Sequence, residues 1–153
     1  VKGKHHRDGC KNIVLPLDLT KETRDKVHYA LEIAKLGVNK AAIRVVSVLP
    51  GSDEFIVNRL TRQMEQVKEF IQKQDVECTA ELVKIVKGEE NNAHCIIDYA
   101  HKVDGDIIIV MTQQEFDFTR YFIGSTAQEI INSSDIPVMS IIPQMRKYKS
   151  VED

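Results

Sequence analysis

Asp18 ends a short apolar run, Asn12 to Leu17, and Leu19-Thr20-Lys21 follows it. A carboxylate just past a strand can accept hydrogen bonds from a sugar or a base. It can equally cap the helix that comes next. Far along the chain, Gly124-Ser125-Thr126 opens a helical stretch after another apolar run, Ile107 to Met111. A helix start directs unpaired N–H groups outward, and its dipole favours an anion. These three residues are therefore a candidate phosphate cradle, the alternative being that Ser125 caps the helix. Between them lies a polar loop carrying Phe116, Phe118, Tyr121 and Phe122, with Arg120 among them. Such rings could stack on a base, form a partner surface or fold over the end of the sheet.

Other reactive side chains are scattered. Cys10, Cys78 and Cys95 form no C-x-x-C pair, and Cys78 and Cys95 read as small core residues. His28, His94 and His101 fall on helices without metal-ligand spacing, and His5-His6 reads as a solvated pair, so no metal is expected. There is no G-x-x-x-x-G-K-[ST], no G-x-G-x-x-G and no G-x-S-x-G. No catalytic residue can be assigned, and the expectation is a non-enzymatic protein. With 153 residues, 42% hydrophobic and 29% charged, the chain suits one globular domain. A net charge of -2 gives no electrostatic reason to bind nucleic acid or an acidic membrane. The cysteine usage and the absence of a signal-peptide pattern point to a cytoplasmic setting.

The elements that must position these groups follow from periodicity. Asn12 to Leu17 and Ala42 to Leu49 are apolar and partly β-branched, and read as buried strands. Val27, Ala30, Leu31 and Ala34 form one helical stripe, and Val57, Leu60, Met64, Val67 and Ile71 a longer one. Val76 to Val86 alternates apolar and polar side chains, which predicts a strand with one wet face at a sheet edge. Ala93, Ile96, Ile97, Ala100 and Val103 define a third helix. Then come the strand Ile107 to Met111, the helix at Gly124 and the strand Val138 to Ile142. Strands alternating with helices predict an open five-stranded parallel sheet with helices on both faces, a Rossmann-like α/β fold. Ligands of such sheets bind beyond the carboxyl ends of the strands, where the winding reverses. The ordered domain is read as 12–143, after a polar linker or arm at 1–11 and before a polar tail at 144–153. The arm fits the later part of a longer chain; removal of a start methionine, or an artificially chosen start, would look the same.

Together these residues resemble the universal stress protein family, from about Lys11 to Pro143. Leu15-Pro16-Leu17-Asp18 is similar to its first-strand Pro-x-Asp. Gly88 stands after the third strand, Gly124-Ser125 before the fourth helix, and Ser134-Asp135-Ile136-Pro137-Val138 resembles its proline-led last strand. The resemblance implies a sheet of the adenine-nucleotide α-hydrolase-like kind, often dimeric through the last strand and often found as tandem domains. ATP-binding members carry G-x2-G-x9-G-[ST]. Anchored on Gly124-Ser125, the first two glycines fall at Met111 and Gln114. The resemblance then implies Pro16, Asp18 and Val48 beside adenine or ribose, and Gly124, Ser125 and Thr126 at phosphate. Gln113 and Gln114 could donate to an anion where the glycines are missing.

Two roles follow as expectations. One is a non-enzymatic stress-response module acting by homodimerisation, or by pairing with a sister domain, through Val138, Met139, Ser140, Ile141 and Ile142. An apolar edge strand carries unpaired backbone groups and gains from a strand partner. The other is an ATP or adenine-nucleotide sensor with slow hydrolysis at most. Phosphorylation at Ser125 or Thr126 is a third idea, since added negative charge is favoured at a helix N-terminus.

Overall fold

The computed structural model describes residues 10–18, 23–37, 40–49, 51, 53–85, 92–111, 113–114, 121–122 and 125–142. Of residues 23, 24, 113, 114, 121 and 122 only the backbone is described. The arm up to residue 9, Gly88, Phe116, Phe118, Arg120, Gly124 and the tail lie outside this set.

In chain order the elements are β1 (Asn12–Pro16), α1 (Thr23–Ala34), β2 (Ala42–Leu49), α2 (Glu54–Lys73), β3 (Cys78–Lys84), α3 (Asn92–Lys102) and β4 (Ile107–Met111). There follow β5 (Gln113–Gln114), β6 (Tyr121–Phe122), α4 (Ser125–Ser133) and β7 (Val138–Ile141). The main sheet is parallel with order β3-β2-β1-β4-β7. Its five strands are those expected from the hydrophobic pattern. The alternating strand β3 is an edge, as its wet face requires, and β7 is the other edge. The stretch read as a loop contains a short antiparallel pair, β5 with β6, in which Gln113 faces Phe122 and Gln114 faces Tyr121. Two-residue strands carry no periodicity, so no pattern could have announced them.

Alternation in the central strands sorts the core into two layers. Ile13, Leu15, Ile43, Val45 and Ile109 point to one face and pack on Val27, Ala30, Leu31, Met64 and Ile71 of α1 and α2. Val14, Val46, Ile108 and Val110 point to the other and meet Ala93, Ile96, Tyr99 and Ala100 of α3 and Ile130 of α4. Each fully buried large aliphatic side chain contributes about 1.5–3 kcal/mol. This two-sided burial explains why the central strands read as nearly continuous apolar runs. Cys78 is buried in the first of these layers and Cys95 is buried on α3, as their reading as core residues requires. Among the described residues no helix is long and apolar enough to cross a membrane.

The amino ends of the strands are clasped by polar groups. Asp106 Oδ2 accepts from the backbone N–H of Lys11 and of Asn12, both at 2.8 Å. Arg44 donates to Asn12 Oδ1 at 3.0 Å, to Thr79 Oγ1 at 3.2 Å and to Glu77 Oε2 at 2.6 Å. Four strands are thus tied in register at one end.

The turn into β4 is equally specified. Helix α3 closes with Gly105 N–H donating to Ala100 O at 2.7 Å and Asp104 N–H to His101 O at 3.2 Å. Asp104 sits at φ 53, the left-handed position of a Schellman ending. A Cβ on Gly105 would lie 2.6 Å from Val14 Cγ2 and 3.0 Å from Ala100 O. Gly105→Ala must therefore push β4 away from β1 or distort the helix end. A loss of about 1–3 kcal/mol is expected for such overpacking, read as a lowered midpoint in urea with an unchanged slope.

Candidate functional site

The site begins with a divergence of strands. The pairing of β1 with β2 runs the whole length of β1, to Pro16 opposite Val46. The pairing of β1 with β4 stops at Val14 opposite Ile108. Beyond that point β1 and β4 part, and the winding of the sheet reverses between them. A split of this kind is where open α/β sheets receive ligands.

Backbone polar groups at the split have partners. Leu17 N–H donates to Val46 O at 2.8 Å, so Leu17 faces β2. Its carbonyl accepts from the buried Ser47 hydroxyl at 3.0 Å. Because strand residues alternate in direction, the Pro16 carbonyl faces the side from which β4 has withdrawn. Proline has no N–H, so no donor is orphaned there. The carbonyl is met by Lys26 Nζ of α1 at 2.8 Å.

The split opens into a crevice of about 440 Å³. Pro16, Leu17 and Asp18 come from the end of β1, Val46 and Val48 from β2, and Val110 and Met111 from β4. Asn92 and Ile96 of α3, and Ser125, Thr126, Ala127 and Ile130 of α4, form the far wall. Lys26 completes the lining. A neighbouring hollow of about 320 Å³ shares Asn92, Ser125 and Thr126 and adds Glu129. The crevice therefore combines an apolar slot, a carboxylate, an ammonium group and the start of a helix. That combination suits a flat apolar ring joined to a polar, anionic tail.

Of the residues expected at the site, Pro16, Asp18, Val48, Ser125 and Thr126 are brought together. Only the backbone of Gln113 and Gln114 is described, in β5, and Gly124 lies outside the described residues. Met111, at a glycine position of the ATP-binding pattern, packs in the core layer beneath α1 while forming part of the crevice wall. Lys26, Asn92 and Ile96 had not been singled out as site residues. Lys26 lies one residue before Val27 of the apolar stripe on α1 and reads there as an ordinary solvated lysine.

Histidines face carboxylates that sequence spacing could not reveal. His101 Nε2 lies 2.8 Å from Asp135 Oδ1, and His94 Nε2 lies 3.8 Å from Glu129 Oε1. Both histidines lie on α3, and both carboxylates on α4 or just after it. Among the described residues no cluster of His, Cys, Asp and Glu could hold a metal ion. Burial pushes the Cys78 thiol up to about 11. Cys10 is also raised to about 11, chiefly by burial and then by the Asp106 charge. The phenol of Tyr99 is raised by burial; its hydroxyl donates to Val45 O at 3.3 Å.

Comparison with known proteins adds a lineage to this geometry. A family model described as "Universal stress protein family" matches residues 9–141. A universal stress protein of Methanocaldococcus jannaschii is 27% identical over 143 residues, covering 86% of this chain and 81% of that protein. Among solved structures, a universal stress protein from Archaeoglobus fulgidus superposes with a TM-score of 0.69 at 22% identity, covering 86% of this chain and 93% of the other. A universal stress protein from the same organism, in complex with dAMP, gives 0.68 at 23%, covering 86% and 97%. A universal stress protein in complex with cAMP gives 0.65 at 12%, covering 87% and 97%. At these identities the structural matches speak for the fold.

The thiols yield a pH prediction. Cys78 in the unfolded chain ionises near its ordinary value of 9.0, whereas in the fold it stays neutral to about 11. The unfolded state therefore loses the proton first, and stability falls as pH rises from about 9 towards 11. Denaturation midpoints across that range should fall less steeply in Cys78→Ala than in the wild type. Equal slopes would show that burial does not hold the thiol neutral.

Proposed function

The chain belongs to the universal stress protein family, and from that premise we propose that it is a stress-response module whose crevice binds an adenine nucleotide. The observation that carries this reading is the split between β1 and β4. It sets Asp18 at its rim and the start of α4, with Ser125 and Thr126, on its far wall. Pro16, Val46, Val48 and Ile96 offer apolar surface for a base. Asp18 accepts from ribose hydroxyls or a base amine, and the α4 N–H groups receive phosphate. The dAMP and cAMP complexes of structural relatives support the same ligand class. The missing glycine at Met111 is compatible with this reading. Met111 alternates with Val110, so its side chain belongs largely to the layer under α1, across the sheet from Val48 and Ile96.

Calorimetric titration of the purified chain with AMP and ATP tests the proposal. Binding is expected, with Asp18→Ala weakening it about tenfold or more, as for loss of a charged hydrogen-bonding group. Absence of heat up to millimolar nucleotide would overturn it.

A second reading concerns association, and the open edge of β7 favours it. Ile108 N–H donates to Pro137 O, so Pro137 and Met139 face β4 while Val138 and Ser140 turn their backbone groups outward. Met139 and Ile142 are exposed beside that edge. We propose that this edge pairs with a second copy of the chain or with a sister domain, which carries any nucleotide signal onward. Ser140→Pro removes an outward N–H and leaves the pairing with β4 intact. Sedimentation should show a dimer in the wild type and a monomer in Ser140→Pro. A variant as dimeric as the wild type would exclude this strand as the interface.

A further inference from the structure

The open space beside α4 does not end with the crevice. The hollow of about 320 Å³ next to it shares Asn92, Ser125 and Thr126 with the crevice, and Ile85, Ala93 and Glu129 complete its wall. Its place follows from two helix faces. On α3, Asn92 stands one turn before Ile96; on α4, Thr126 stands one turn before Ile130. Ile96 and Ile130 are buried in one core layer and close the crevice. The polar residues one turn nearer each helix start are thereby carried to the boundary between the two hollows. Asn92 is exposed there, and among the described residues its side chain makes no hydrogen bond.

The size and lining of this hollow suit a particular chemistry. About 320 Å³ is more than a single phosphate group fills and falls within the range of small-ligand pockets. The Asn92 amide and the hydroxyls of Ser125 and Thr126 all both donate and accept. They match sugar hydroxyls, which do the same. An ionised phosphate only accepts, and would leave the amide oxygen without a donor. Ile85 and Ala93 add apolar surface for the C–H face of a sugar ring. Among the described residues no lysine or arginine lines this hollow, whereas added phosphates bind best where such cations meet them. The Glu129 carboxylate lies 3.8 Å from His94 Nε2, at the contact of α3 with α4.

We propose that this hollow receives a sugar carried on the far side of the nucleotide's diphosphate, with Asn92 as its contact from α3. The preferred ligand is then an adenine nucleotide sugar rather than ATP. This rests on the nucleotide reading above and extends it past the first phosphate. In that reading the phosphates meet the start of α4 at Ser125 and Thr126. Those two residues belong to both hollows, so a group linked through the phosphates enters the second. Asn92 is a specificity residue; no bond is made or broken by it.

Calorimetry with ADP-glucose, ADP and ATP on wild type, Asn92→Leu and Asn92→Ser tests this. Wild type is expected to bind ADP-glucose about tenfold more tightly than ADP, as for one or two added hydrogen bonds. Asn92→Leu should bring the two within about threefold of each other. Asn92→Ser keeps a donor and an acceptor and should keep more of the preference, with melting curves verifying that both variants fold. The wild-type comparison needs no variant. ADP-glucose bound no more tightly than ADP, or less tightly than ATP, would overturn the inference and leave the nucleotide reading standing. A preference kept in full by Asn92→Leu would overturn the role of Asn92. Wild-type protein that binds none of the three would overturn the nucleotide reading, and this inference with it.

Discussion

Everything at the site depends on where β1 and β4 cease to be hydrogen-bonded neighbours. Both strands are central and both are buried on two faces. Their pairing is held at the amino end, where Asp106 accepts from two β1 N–H groups and Gly105 lets the chains come close. It is released at the carboxyl end, after Val14 and Ile108. A sheet pinned at one end and wound in opposite senses on either side of β1 must open at the other. The crevice is the consequence, and the residues around it are whatever the strands and helices carry at that height.

Opening a sheet exposes backbone groups that want partners, and the chain answers this with local chemistry. Pro16 brings no N–H to the gap, Lys26 covers its carbonyl, and Ser47 covers the carbonyl of Leu17. An unmet buried carbonyl would cost about 1–3 kcal/mol. Pro16, Leu17 and Lys26 also line the crevice, so the residues that settle the backbone at the split are the ones that form its wall. Helices α3 and α4 close the other wall. Their mutual position is supported by Ile130 and Ile96 in the core and by the His101–Asp135 pair at the surface. The exposed pair contributes little energy, and the buried layer sets the geometry.

Much of this was legible in the chain. The two-sided burial of β1, β2 and β4 was written in their unbroken apolar runs, and the wet edge of β3 in its alternation. Asp18 and Ser125-Thr126 announced themselves by residue type next to strand and helix ends. The short pair β5 and β6 was not legible, because two residues have no period. Neither was Lys26. On an amphipathic helix one lysine resembles another, and its target is a carbonyl whose need arises only when β4 turns away.

The sequence by itself determined the succession along the chain of the five main-sheet strands and the four helices, the side of each that is buried, the family resemblance and the candidate residues at strand and helix ends. These are local properties, set by periodicity, turn chemistry and capping, which act over a few residues. Only the tertiary structure decided that Asp18, Val48, Lys26 and Ser125 line one space and that Met111 belongs largely to the layer beneath α1. It also decided that His94 and His101 each face a carboxylate. Those facts depend on strand order and on the residue at which a pairing ends. Both are fixed by the packing of two helical layers on a twisted sheet, a sum over contacts between segments far apart in the chain.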